Sequence, residues 1–362
     1  MSLLRVPRTL FRPFPKANSG IRISRFSQTS CLIRQFQGRG NNSHPRDPQG
    51  HQPEPNVLRP DRIYAARNDG EYEFPDPEPE PELPYVRVRY LRPAIWAASV
   101  SAGIYVFLAY LEAKEQLKPK PFPNPFRDYI PRRQTPPTPT EVATRFWSEL
   151  NPISKLSVGI IATNGAVHLG KLAPNLWGLL WHIPARNVNY TLFTSMFVHS
   201  GLFHFGFNMW ACWNFLLPVG YSRMFEGQPL HTLSFYLSAG LLSGYAQHLS
   251  TIFTRQAASA YKLWIPSGGA SGALFAIFGA FCMQYPHQSV GIVFLPFSFE
   301  AQSFLPFVML FDLIGMIRPY SFASLGHAAH LSGTLLGVAY SSFDGKEKLW
   351  KPLVRFWKRQ LQ

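Results

Sequence analysis

Repeated long apolar segments distinguish this chain from an ordinary soluble protein. The first, Ala94–Leu111, is flanked by Arg92 and Lys114 and approaches the about 20 apolar residues that a transmembrane helix needs. After a Pro-rich connection, six more apolar segments cover approximately residues 155–173, 200–220, 232–249, 267–285, 304–317 and 325–342. The pattern predicts an all-α polytopic membrane protein in which one transmembrane helix precedes a compact set of six.

The N-terminal region has a different chemistry. Its first forty residues are rich in Arg and contain Ser, and the first acidic residue of the chain is Asp47. This composition, without a continuous apolar run, is typical of a mitochondrial presequence, which we predict at 1–40; a disordered basic arm is the alternative. Residues 41–92 read as a Pro/Glu-rich linker because the tract "FPDPEPEPELPY" favours extended polyproline II. The whole N-terminal region is therefore predicted to be disordered.

The remaining boundaries follow from the same segments. We predict the first transmembrane helix at 93–113, a Pro-rich loop at 114–151, the six-helix core at 152–342 and a basic amphipathic tail at 343–362. The formal net charge of +15 lies mostly at the termini and in loops, which favours a lipid bilayer over nucleic acid as the partner. The three cysteines lack metal-ligand spacing, so neither a metal site nor a disulfide framework is predicted.

Three polar side chains lie close together at the start of the third apolar segment. Polar groups at membrane depth are costly, so each one raises a functional question. His204 and Asn208 are four residues apart and share a helical face, whereas His199 projects elsewhere and should have a separate partner. Each residue alone more often makes a satisfied interhelical hydrogen bond than serves in catalysis, but three of them within ten residues bring the catalytic role level with it. Both interpretations remain open at this point.

Glycines mark the fifth and seventh segments as close neighbours. Ser271 lies in the tetrapeptide Gly269–Gly272, and His330 shares a helical stripe with Gly333 and Gly337. A GxxxG spacing permits close approach of two membrane helices, which would bring Ser271 to His330. A serine hydroxyl becomes a nucleophile only when a base takes its proton. The two segments therefore predict either ordinary close packing or a Ser–His pair.

Ser271 also lies in the first turn of its predicted helix, where backbone N–H groups have no intrahelical partner. Such an N–H can donate to an oxyanion, and His204 and Asn208 are candidate side-chain donors for the same charge. The GxSxG elbow of α/β-hydrolases is not present, since Ala273 stands two residues after Ser271.

Asp312 is the remaining carboxylate within the apolar segments. It could orient His330 as a third catalytic group, because the sixth and seventh segments are adjacent in sequence. A local partner for Asp312, or a protonated carboxyl, is the favoured alternative.

Over roughly residues 94–342 the sequence resembles the rhomboid intramembrane serine proteases. The resemblance rests on the GASG tetrapeptide, on His330 followed by two glycines, and on the HxxxxHxxxN spacing of His199, His204 and Asn208. One helix before a six-helix rhomboid core (1+6), with a presequence, is similar to the mitochondrial presenilin-associated rhomboid-like subgroup. The resemblance implies a dyad of Ser271 and His330, and no cofactor. It implies an oxyanion hole of His204, Asn208 and the Ser271 N–H, while His199 is structural or assists this hole.

The resemblance also implies a multi-pass protein of the mitochondrial inner membrane that cleaves single-span membrane proteins, including a dynamin-like GTPase. If the N-terminus lies in the matrix, the count of spans places the opening of the site on the matrix side.

One departure from the family pattern concerns a loop: Trp181 and Arg186 are separated, whereas many bacterial members have an adjacent Trp–Arg pair. The alternatives are a non-catalytic rhomboid-like binder and a small transporter with proton-carrying His and Asp residues. The oligomeric state is left open.

Overall fold

A computed structural model describes residues 86–119, 136, 138–253, 262–291, 296–318 and 325–362. The predicted presequence at 1–40 and nearly all of the linker at 41–92 lie outside the described residues. The described residues form eleven α-helices and one antiparallel hairpin. The helices are α1 Leu91–Leu117, α2 Pro139–Glu149, α3 Pro152–Leu169, α4 Pro174–Leu180, α5 Thr191–Thr194, α6 Leu202–Gly220, α7 Pro229–Ser250, α8 Ser271–Gln284, α9 Ala301–Ile317, α10 His327–Ser342 and α11 Lys351–Leu361. The strands β1 Ser289–Gly291 and β2 Ser298–Glu300 connect α8 to α9.

Each of the seven apolar segments contains a helix, but the helices differ in length. Among the described helices, α1 alone is long and apolar enough to cross a membrane by length and composition. With 27 residues it extends beyond both ends of the predicted span 93–113. The helices α8 and α9 are apolar but shorter, with 14 and 17 residues. Helix length by itself therefore identifies one span, and the 1+6 arrangement stays a prediction.

The segment predicted as a Pro-rich loop, 114–151, contains the helix α2. Its start is a capping box, in which the Thr138 hydroxyl accepts from the Glu141 N–H at 3.3 Å and the Glu141 carboxylate accepts from the Thr138 N–H at 2.9 Å. Pro139 fits the first turn because its missing N–H would be unpaired there anyway. These local signals override the proline content of the segment.

Helix α8 lies at the centre of the described core. It packs most extensively on α10, and also on α6 and α7. Ten of its fourteen residues are buried, which explains its uniformly apolar sequence. The contact between α8 and α10 depends on glycine: a Cβ at Gly279, Gly333 or Gly337 would meet backbone atoms of the opposite helix. The close approach expected from the glycine spacing is therefore present.

The C-terminal helix α11 covers the second half of α1. Tyr105 and Trp350 belong to one buried cluster between these elements, and the Trp357 indole N–H donates to the Val106 carbonyl at 3.0 Å. The apolar side of the tail is thus used inside the protein, while Arg355 and Arg359 remain exposed.

Candidate active site

Ser271 and His330 meet across the interface between α8 and α10. The Ser271 Oγ lies 2.9 Å from the His330 Nε2, within hydrogen-bonding distance. The ring of Phe275, one turn after Ser271, stacks on the His330 imidazole with centroids 4.2 Å apart and an angle of 12° between the planes. The aromatic ring fixes the plane of the imidazole, so that Nε2 faces the hydroxyl. Ser271 is the first residue of α8, and so lies in the first turn, as the sequence predicted.

The loop before Ser271 is shaped by Gly269. This residue has φ of +136°, a conformation that side chains rarely adopt, and its N–H donates to the Ser195 carbonyl at 2.9 Å. A Cβ at this position would come within 2.9 Å of the His204 ring and 3.8 Å of the Ser271 Oγ. The His204 imidazole is therefore beside the loop and close to the hydroxyl. The His204 Nδ1 lies 3.2 Å from the Ser200 Oγ.

His199 and Asn208 occupy different positions from His204. His199 is fully buried, and its Nε2 accepts from the Ala270 N–H at 3.4 Å, which gives it the separate partner that its spacing indicated. Asn208 donates its amide to the His204 carbonyl one turn earlier at 2.7 Å. The Asn208 amide is thus hydrogen-bonded to its own helix, whereas the His204 imidazole lies beside the loop that precedes Ser271.

Asp312 is almost fully buried at the interface between α9 and α10. Its Oδ1 accepts from the His327 Nδ1 at 2.7 Å and lies 3.4 Å from the His330 Nδ1. The carboxylate thus has the local partner that sequence reasoning favoured. The same oxygen also lies near the His330 Nδ1, the ring nitrogen that does not face Ser271. Sequence reasoning did not identify His327, although its spacing of three from His330 in "HAAH" places both on one face.

Two residues of α7 support the site and were not found from the sequence. The Gln247 Oε1 accepts from the Ala329 N–H at 3.2 Å, which satisfies an orphan donor in the first turn of α10. Ser243 lies behind Gly272, with its hydroxyl 3.5 Å from the Gly272 carbonyl. No motif marks either residue, because their role depends on how α7 is rotated against its neighbours.

A buried histidine connects the loop between α4 and α5 to the segment before Ser271. The His182 and Ser267 backbones form a bridge, with N–H to carbonyl distances of 3.2 and 2.8 Å. The His182 Nε2 lies 2.9 Å from the His248 Nδ1. Burial, with a smaller contribution from His248, lowers the pKa of His182 to about 3, so the ring is neutral at pH 7. This pair holds the loop in place without adding charge.

The arrangement has the chemistry of acyl transfer. A hydroxyl faces an imidazole, a first-turn N–H lies at the same residue, and a second imidazole is close by. The described residues include no group of three or more His, Cys, Asp or Glu side chains that could hold a metal ion.

Part of the chain matches a known protein family. Residues 186–347 match the family model for the Rhomboid domain. Over 222 residues the chain is 32% identical to the mitochondrial presenilin-associated rhomboid-like proteins of Homo sapiens and Rattus norvegicus, covering 59% of this chain and 55% of each relative. It is 27% identical over 166 residues to Rhomboid protein 1, mitochondrial, of Saccharomyces cerevisiae, covering 42% of this chain and 41% of that protein. The chain thus spans about half the length of the first two relatives. The resemblance inferred from the motifs is confirmed, and the matched domain implies a helical polytopic membrane fold.

Proposed function

Since this chain carries a Rhomboid domain at residues 186–347, we propose that it is a serine endopeptidase of the mitochondrial inner membrane that cleaves single-span membrane proteins. The observation that carries the proposal is the 2.9 Å distance between the Ser271 Oγ and the His330 Nε2 at the first residue of α8. A hydroxyl used only for packing would not need an imidazole held against it by Phe275.

The reaction proceeds through an acyl-enzyme. The Ser271 Oγ attacks the substrate carbonyl carbon while its proton passes to the His330 Nε2, and the carbonyl electrons move to the oxygen. The Ser271 N–H, His204 and Asn208 donate to this oxyanion. Collapse of the intermediate breaks the C–N bond, and the leaving amine takes the proton from His330. Water then attacks the ester with His330 again as base, which releases the carboxylate and restores the serine.

The fold proposed for this activity is one transmembrane helix, α1, followed by six core helices, α3 and α6–α10. Helix α8 rises only about 21 Å at 1.5 Å per residue, less than the about 30 Å thickness of the hydrocarbon core. A helix this short does not reach both membrane surfaces, and we place its first residue, Ser271, below the surface, where a polar cavity must bring water. The buried side chains of His199 and Asn208 and the half-buried His204 suit such a cavity.

The cellular context is part of the same proposal. The names of the relatives include the word mitochondrial, and the basic, acid-free residues 1–40 suit a presequence. We assign the protein to the inner membrane as a multi-pass protein whose site opens towards the matrix. Its substrates are membrane-spanning proteins, with a dynamin-like GTPase among them.

Cleavage of a single-span reporter in liposomes tests this function. Wild-type protein should cut the reporter, and both Ser271→Ala and His330→Ala should abolish the cleavage because each removes one half of the dyad. Ser332→Ala, which changes a hydroxyl that donates to the Ala329 carbonyl of its own helix, is the matched control and should remain active. Unchanged cleavage by either dyad variant would refute the assignment. A folded wild type that retains a bound reporter without cutting it would support the non-catalytic binder instead.

A further inference from the structure

We propose that Asp312 and His327 form a positioning pair that holds the His330 imidazole in its reactive tautomer and stabilises it when it carries a proton. The proposal rests on the proposed Ser271–His330 protease activity. It adds two residues that act through His330 and do not contact the substrate.

The contacts of the carboxylate carry the inference. The same atom, Asp312 Oδ1, lies 2.7 Å from the His327 Nδ1 and 3.4 Å from the His330 Nδ1. Its second oxygen, Oδ2, is buried and has no hydrogen-bond partner among the described residues. A carboxylate that served only to tie two helices together would be expected to use both of its oxygens, since an unpaired buried acceptor is costly. The free oxygen leaves Asp312 able to engage the neighbouring imidazole more closely during the reaction.

His327 fixes where this carboxylate lies. A Cβ at Gly315 would come within 2.5 Å of the His327 ring, so the ring packs directly on the backbone of α9. From this position His327 donates to Asp312 and leaves the oxygen it binds beside His330. Gln247 of α7 accepts from the Ala329 N–H and holds the turn that carries both histidines.

The tautomer of His330 follows from its two contacts. When the Ser271 hydroxyl donates to Nε2, that nitrogen must be unprotonated, so the ring proton is on Nδ1. The Nδ1 is the atom that faces Asp312 Oδ1. A carboxylate there favours this tautomer, and it favours the imidazolium that forms when the serine attacks. Among the described residues, the titratable side chains around His330 are His204 of α6, Asp312 of α9 and His327 of α10.

The test compares full-length variants in liposomes. Asp312→Asn removes the charge, His327→Leu removes the donor, and His327→Asn restores a donor near the position of Nδ1. Asp344→Asn is the matched control, since it makes the same change at an exposed residue near the C-terminal end of α10. For each protein, kcat and KM for the reporter are measured across neutral pH, together with the thermal midpoint.

Asp312→Asn should lower kcat with KM unchanged, by about 10- to 100-fold, the range for loss of a group that orients a metal-ligating imidazole. His327→Asn should keep most of the activity that His327→Leu loses, and Asp344→Asn should match wild type.

A folded Asp312→Asn protein with wild-type kcat would overturn the inference, as would equal kcat in the two His327 variants. The His327 comparison decides the question if Asp312→Asn does not fold. In both cases cleavage would still depend on Ser271, so the protease activity would stand. Cleavage that persists in Ser271→Ala would instead refute the proposed function itself.

Discussion

At the scale of single residues, the site depends on the contact between Ser271 and His330 and on the positions of His204 and Asn208 on α6. Ser271 and His330 could be paired from the glycine spacing, because close helix packing leaves few arrangements for them. The sequence treated His204 and Asn208 as equivalent oxyanion donors, since both lie on one face of α6. The structure separates them: His204 is beside the Gly269 loop, and Asn208 is bonded to the His204 carbonyl.

This separation predicts unequal effects of two substitutions. His204→Ala should reduce kcat by about 10²–10³, as for removal of one oxyanion donor in a soluble serine protease. Asn208→Ala should cost less, because one of the two N–H groups of its amide is already bound to the His204 carbonyl. Asn214→Ala is the matched control, since Asn214 makes the same bond one turn back, to the Trp210 carbonyl at 2.8 Å, farther along α6. Reporter cleavage rates that are equal for His204→Ala and the Asn214→Ala control would exclude His204 from the oxyanion hole.

At the scale of elements, the apolar segments indicated where helices form, and all seven contain one. The sequence did not indicate α2, whose capping box was hidden by the surrounding prolines, or the hairpin of β1 and β2. It also missed the contacts of Asp312 with His327 and of Gln247 with the start of α10. These contacts depend on the rotation of each helix about its axis, which segment hydropathy does not determine.

The glycine contact between α8 and α10 predicts a cost for any added side chain. Gly337→Ala should destabilise the protein by about 1–3 kcal/mol, typical of overpacking, because the new Cβ meets the Ala276 carbonyl and the Ala280 N–H group. Cleavage should fall as well, since moving α10 away separates His330 from Ser271. Gly159→Ala on α3 is the control, because a Cβ there has nothing within 4 Å. A thermal midpoint for Gly337→Ala equal to that of Gly159→Ala would contradict this packing.

At the scale of the whole molecule, the first and the last described helices meet on one side of the core. Trp350, the residue just before α11, and Trp357 within α11 pack on α1, so the helix that precedes the core is held by the tail that follows it. The sequence predicted both elements but not their contact, because neither carries a motif for the other. This arrangement leaves the interface between α8 and α10 at the centre, and the catalytic proposal depends on that interface.

The central claim is that Ser271 is a nucleophile activated by His330. The most direct measurement is labelling of the full-length protein in liposomes with a fluorophosphonate, followed by mapping of the modified residue by mass spectrometry. If His330 activates Ser271, we expect an adduct on Ser271 in the wild type and a large loss of that adduct in His330→Ala. Labelling at Ser271 that is equally fast without His330, or no adduct on Ser271 in a protein that still cleaves the reporter, would contradict it.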